Sequence, residues 1–181
     1  MTTQHIAFVV SLVTILAAPP ALTGQTGEGL DPATLLEPLR NSWPTYSGDY
    51  TGRRYSQLAQ VTTENVQRLT LAWTRQLDTG MPVLNGTNAP TFVGGEGTGE
   101  FTIGAQRIKG TILQVGDLLY VTAPDHVWAI DARDGGERWH YFWKTRGGPH
   151  IGNRGAAMWH NDLFFETADN YLVSLDVRTG E

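Results

Sequence analysis

Past residue 108 the order of apolar and polar positions occurs twice. Asp117-Leu118-Leu119-Tyr120-Val121-Thr122-Ala123 lines up without a gap on Asp162-Leu163-Phe164-Phe165-Glu166-Thr167-Ala168. Val127-Trp128-Ala129-Ile130-Asp131-Ala132-Arg133-Asp134-Gly135 lines up in the same way on Leu172-Val173-Ser174-Leu175-Asp176-Val177-Arg178-Thr179-Gly180, at one offset of 45 residues throughout. Each copy predicts an apolar strand, a turn at Pro124-Asp125 or Asp169-Asn170, a second strand and a closing Asp-x-x-x-Gly turn. A repeat of this length made of short strands predicts the blade of a β-propeller. One such sheet cannot bury both its faces, so it needs neighbours stacked around an axis. Asp131 and Asp176 are placed to accept from backbone N–H groups just ahead of them, and Gly135 and Gly180 can take a positive φ. Trp139, eight residues after Asp131, is placed to pack over a neighbouring blade.

The stretch before the repeat is less regular. Asp31-Pro32 reads as an N-cap followed by proline at the first helical position, and predicts a short helix to about Leu39. Asn41-Ser42-Trp43-Pro44 breaks it. A second short helix is expected from Thr62 or Thr63 to Leu69, with Glu64 in its first turn. Leu71-Ala72-Trp73-Thr74-Arg75-Gln76-Leu77 alternates as a strand does, and residues 78–107 read as a long loop. The expected fold is all-β: about two propeller blades preceded by short helices.

Near the N-terminus, Ile6-Ala7-Phe8-Val9-Val10-Ser11-Leu12-Val13-Thr14-Ile15-Leu16-Ala17-Ala18 is an apolar run that gives way to prolines and small residues. It is too short to span a bilayer comfortably and reads as the core of a secretory signal, cleaved between about Ala21 and Gln25. The expected organisation is a signal peptide over 1–24, an extension over 25–42 and a repeat domain over 43–181, in a periplasmic or secreted protein. The chain has no Cys, so it carries no disulfide and no lipidated-cysteine anchor. A net charge of −5 argues against a nucleic-acid or polybasic membrane partner. Its 21 Gly and 6 Trp suit tightly turned β-structure better than a helical bundle.

Ala129-Ile130-Asp131-Ala132-Arg133-Asp134-Gly135-Gly136-Glu137-Arg138-Trp139 resembles the tryptophan-docking motif of the PQQ-dependent (quinoprotein) alcohol dehydrogenases. Trp43-Pro44-Thr45-Tyr46-Ser47-Gly48-Asp49, Arg54-Tyr55-Ser56, Asn65-Val66 and Leu69 are similar to that family's N-terminal signature, and Leu71-Ala72-Trp73 to the strand that follows it. The docking motif is shared with non-enzymatic repeat proteins; its pairing with the N-terminal signature is more specific. The resemblance implies an eight-bladed propeller with PQQ in a central funnel beside Ca²⁺ or a lanthanide. It also implies an alcohol or sugar substrate and a cytochrome or quinone electron acceptor. The family's Asp base and metal carboxylate lie further along than this chain reaches, so no catalytic or metal-binding residue is expected here.

Three cofactor contacts are expected from the resemblance. Asn153-Arg154-Gly155 resembles the family's Asn-Arg-Gly segment, whose Arg faces the quinone oxygens; a fixed guanidinium there stabilises charge as the quinone is reduced. Lys109 stands where well-known members place a Glu before the second blade's first strand, and can meet a PQQ carboxylate as a point charge. Those members also carry adjacent cysteines ahead of the Arg; here the positions are Gly148 and Pro149, with His150 beside them. For Arg154 and Lys109 the competing reading is an ordinary solvated or surface-paired cation. His126, His140, His150 and His160 lack close metal-ligand spacing, and Gly94-Gly95-Glu96-Gly97-Thr98-Gly99 lacks the Lys-Ser/Thr ending of a phosphate loop. Trp128, Trp139, Trp143 and Trp159 are expected to pack blades rather than bind sugar.

The second copy of the docking motif stops at Glu181, before its Trp would arrive. That predicts a fragment of a longer chain, marginally stable because its sheet edges and faces are exposed, and silent in PQQ-dependent dye reduction. The other class of function the pattern allows is a cofactor-free propeller serving as a protein-interaction scaffold.

Overall fold

The structure, a computed structural model, describes residues 29–77, 108–143, 154–167 and 169–181. The proposed signal peptide, the glycine tract at 94–99, Gly148, Pro149, His150 and Asn153 lie outside the described residues. Strands β1 (Leu113–Val115), β2 (Leu118–Ala123), β3 (His126–Asp131) and β4 (Glu137–Phe142) form an antiparallel sheet in the order β1-β2-β3-β4. Strands β5 (Ala157–Trp159), β6 (Asp162–Glu166) and β7 (Leu172–Asp176) form a second, in the order β5-β6-β7. These meanders are the two predicted blade units. Their strands are built largely from aromatic and branched residues, which suit a pleated, covered surface.

The register corrects the gapless match. Val121 pairs with Trp128 in the first sheet, and Phe165 pairs with Val173 in the second. The span between partners is one residue longer in the second copy. Ala123 and His126 close the first hairpin around Pro124 and Asp125, whereas Thr167 donates its N–H to Tyr171 O (2.9 Å) across a turn holding one residue more. Asp125 and Asn170 both adopt a left-handed φ, 65° and 66°, so the turns share their bend despite the extra residue. As a result β1 and β2 correspond to β5 and β6 at an offset of 44, and β3 corresponds to β7 at 45. Side chains alternate with period two, so this one residue decides which face each one occupies. Leu163 and Phe165, both buried, correspond to Leu119 and Val121 rather than to Leu118 and Tyr120.

The main core lies between the sheets. Leu113, Val115, Tyr120, Val127, Ala129, Trp139 and Tyr141 of the first meet Met158, Leu163, Phe165, Leu175 and Val177 of the second, and Leu30 and Leu35 join them from upstream. Leu30 donates its N–H to His160 O (2.8 Å), and Trp43 exchanges backbone hydrogen bonds of 2.8 and 3.0 Å with Gln114 of β1. The opposite face of the first sheet buries Val121, Ala123, Trp128 and Ile130, with Trp73 and Leu77 packed against them.

Two devices occur twice and tie these layers together. Trp139 donates its indole N–H to Val177 O (2.9 Å) and lies against Gly180, where a Cβ would come within 2.6 Å of the ring. Trp73 donates in the same way to Ala132 O (3.1 Å) and lies against Gly135, again at 2.6 Å. Gly135 and Gly180 both have φ 75°, so glycine meets a conformational and a spatial demand at once. Within the turns, Asp131 accepts from Arg133 N (2.9 Å) and its guanidinium (3.0 and 2.7 Å), and from Arg138. Asp176 accepts likewise from Arg178.

The upstream elements are shorter than the sequence predicts. The first helix is a 3-10 turn over Pro32–Leu36, capped by Asp31 Oδ1 accepting from Ala33 N (3.0 Å), and stops short of Leu39. The second is a 3-10 turn over Val66–Arg68; the Asn65 side chain occupies Thr62 N and Gln60 O, and so holds a turn where a helix was expected to begin. Residues 71–77 make no ladder pairing among the described residues, contrary to the expected strand. Side chains, not backbone, anchor them: Trp73 and Leu77 pack on the sheet, and Arg75 between them pairs with Glu137 (2.6 Å). The alternation was a real signal, of one covered face without a neighbouring strand.

Candidate functional site

The sheets meet backbone to backbone where their first strands begin. Thr111 donates its N–H to Arg154 O (3.3 Å), and Thr111 and Gly155 form a parallel bridge. The contact joins the two sheets at the rim where β1 and β5 begin. Lys109 and Arg154, two of the expected cofactor contacts, are both exposed beside this bridge. The Arg154 side chain makes no ion pair among the described residues. The third expected contact, Asn153, lies outside the described residues.

Counting from the strands, Gly110 and Arg154 each stand three residues ahead of β1 and β5, while Lys109 stands one place further out. Gly110 is thus the blade counterpart of Arg154, and sequence reasoning passed over it. A Cβ on Gly110 would lie 2.4 Å from Gly155 N and 2.8 Å from the Arg154 carbonyl carbon. The gapless offset of 45 residues sets Gly110 on Gly155, which hid its place opposite Arg154.

Away from the rim, β3 and β4 bring together two histidines that the sequence spacing kept apart. His126 Nδ1 and His140 Nε2 are 2.8 Å apart, and both rings stack with Trp128, while Phe142 stacks on His126. Burial, and then the neighbouring His140, hold the His126 imidazole down at about 3, so it is neutral near pH 7. Among the described residues no group of three or more His, Cys, Asp or Glu could hold a metal ion. Tyr120, buried against Trp139, is pushed up to about 12 by desolvation and then by Asp176. Hydrogen bonds from Arg133 hold the Asp131 carboxyl far below the usual carboxylate range, and Arg178 holds Asp176 at about 2. These shifts belong to the blade scaffold. Of the expected packing tryptophans, Trp128, Trp139 and Trp143 are engaged, Trp143 donating to Asp169 Oδ1 (2.9 Å). Trp159 is 51% exposed and meets only the edge of His160 among the described aromatic rings, so its expected packing role is not seen.

Stacked antiparallel meanders locked by docked tryptophans define a β-propeller protein, with two exposed cations, Lys109 and Arg154, on the rim where its first strands begin. The family model for the glucose/ethanol/alcohol dehydrogenase β-propeller domain matches residues 43–181, and the chain belongs to this PQQ family. It is 34% identical over 146 residues to the dehydrogenase subunit of an alcohol dehydrogenase (quinone) from Gluconobacter oxydans (strain 621H), covering 77% of this chain and 16% of that protein. It is 27% identical to the quinohemoprotein alcohol dehydrogenase ADH-IIG of Pseudomonas putida, covering 95% of this chain and 22% of the other. Among solved structures, a europium-containing methanol dehydrogenase superposes with a TM-score of 0.57 at 28% identity, over 82% of this chain and 23% of that one. The chain thus spans less than a quarter of the length of these relatives. Among the described residues no helix is long and apolar enough to cross a membrane.

Proposed function

We propose that residues 43–181 form early blades of a periplasmic PQQ-dependent dehydrogenase that oxidises an alcohol or sugar hydroxyl and passes electrons to a cytochrome or quinone. Residues 1–24 are its export signal and residues 25–42 lead into the propeller. The observation that supports this reading is Arg154, an arginine without an ion pair among the described residues, whose backbone contacts the first sheet at a rim that we place innermost in the ring.

A rim with exposed cations fits a polyanionic quinone: carboxylates need positive partners, and an Arg can supply a planar fork of donors. When bound, PQQ supplies the two-electron acceptor. Arg154 would hold the cofactor by placing positive charge near its oxygens, where it would favour the negative charge that reduction brings. Lys109 would meet a carboxylate as a compact charge, and Asn153, by the family resemblance, would contact the cofactor beside Arg154. The substrate base and the metal carboxylates belong to other parts of the ring.

Equilibrium dialysis of PQQ against the full-length protein that carries these blades tests the assignment. Arg154→Met should weaken binding about tenfold, the loss expected for one charge-assisted contact, and Lys109→Met by a smaller factor. Affinity unchanged in both variants would overturn it.

A further inference from the structure

We infer that Gly110 is a positioning residue for Arg154: the missing side chain on the first blade lets the second blade's 154–155 backbone seat against it. This rests on the reading of Arg154 as a cofactor contact. The atoms a Cβ would meet are all backbone: Gly155 N at 2.4 Å, Gly155 Cα at 2.6 Å and the Arg154 carbonyl carbon at 2.8 Å. Backbone cannot swing aside as a flexible side chain can, so any larger residue moves the 154–155 segment bodily. Gly110 shows no left-handed φ, and its requirement is therefore for space. The demand is reciprocal. Gly155 has φ 121°, and a Cβ there would come within 3.1 Å of Thr111 O. The hydrogen bond from Thr111 N to Arg154 O at 3.3 Å crosses the same contact and helps fix the height of Arg154 on the rim. A guanidinium recognises its partner through a rigid fork, so a shift of its anchor of several tenths of an ångström costs affinity that a Lys contact would not lose.

The test is a double-mutant cycle on the full chain, with PQQ as the probe and equilibrium dialysis as the readout. Gly110→Ala should weaken PQQ several-fold, and the double variant Gly110→Ala/Arg154→Met should bind no more weakly than Arg154→Met alone. A merely structural glycine would give additive losses, and additivity overturns the inference, as does unchanged affinity in Gly110→Ala. Arg154→Met binding as tightly as wild type would instead overturn the reading of Arg154 itself, and a chain that takes up no PQQ would overturn both. Should Gly110→Ala lose its sheet by circular dichroism, Gly155→Ala carries the cycle from the other side of the contact. Its overlap of 3.1 Å is smaller, and it is expected to show the same non-additivity with the Arg154 variant.

Discussion

Trp139→Phe and Trp73→Phe put the same perturbation into two copies of one device that differ in burial. Each variant keeps a ring and deletes the indole N–H with the outer part of the bicycle. At Trp139, only 8% exposed, the deleted ring atoms are equivalent to about three buried methylenes, or roughly 2 kcal/mol. The Val177 carbonyl also loses its 2.9 Å donor, which adds about 1 kcal/mol. Trp73 is half-buried, so the apolar part falls to about 1 kcal/mol, with a similar loss at the Ala132 carbonyl. The expected costs are thus about 3 kcal/mol for Trp139→Phe and about 2 kcal/mol for Trp73→Phe. Urea unfolding followed by far-ultraviolet circular dichroism reads both, because the amide signal does not depend on the indoles removed. With a urea slope of about 2 kcal/mol per molar, Trp139→Phe lowers the midpoint by roughly 1.5 M. A Trp73→Phe cost equal to or above that of Trp139→Phe would refute the argument that burial of the docked ring sets the strength of the joint.

The titrations give further expectations. His126 is held near 3 in the fold and takes up its proton near 6.5 when unfolded, so stability falls as pH drops from about 6.5 towards 3, by up to about 1.4 kcal/mol per pH unit. His126→Phe should flatten that slope above pH 5 in pH-dependent urea melts; an unchanged slope would assign it elsewhere. Tyr120 behaves oppositely: its folded value near 12 lies above its unfolded 10, so stability is lost as pH rises from about 10 to 12, and Tyr120→Phe should abolish the loss. Asp131→Asn should destabilise more than Asp176→Asn, because the Asp131 side chain is 1% exposed with two arginine partners and that of Asp176 is 30% exposed with one. Its depressed carboxyl contributes stability above about pH 4 that drains away on further acidification, and the Asn variant should lack this part of the acid limb.

The blades were legible because their signal is redundant. Alternating apolar strands, Asp-x-x-x-Gly turns and a Trp at a fixed distance each point to the same unit, and any two would have sufficed. Trp139 was read correctly for that reason. Trp73 was read only as part of a strand, since it docks on a turn with no copy of the motif leading into it. The short helices were over-read: Asp31 and Pro32 start a helix as expected, but the residues beyond them bury Leu35 in the blade core instead of prolonging the turn. The histidine pair was missed because the strand pairing that unites His126 with His140 is invisible to a search by sequence spacing.

The single residue added to the second hairpin bears on function as well as fold. Aligned without a gap, Lys109 is the counterpart of Arg154, and the rim looks like two equivalent cations on successive blades. Aligned by hydrogen bonds, Gly110 takes that place and Lys109 moves one position outward. Gly110 is thus the residue of the first blade that adjoins the Arg154 backbone of the second. A glycine at that place is what allows the close approach, which is why its replacement is expected to act through Arg154 rather than through the stability of either sheet.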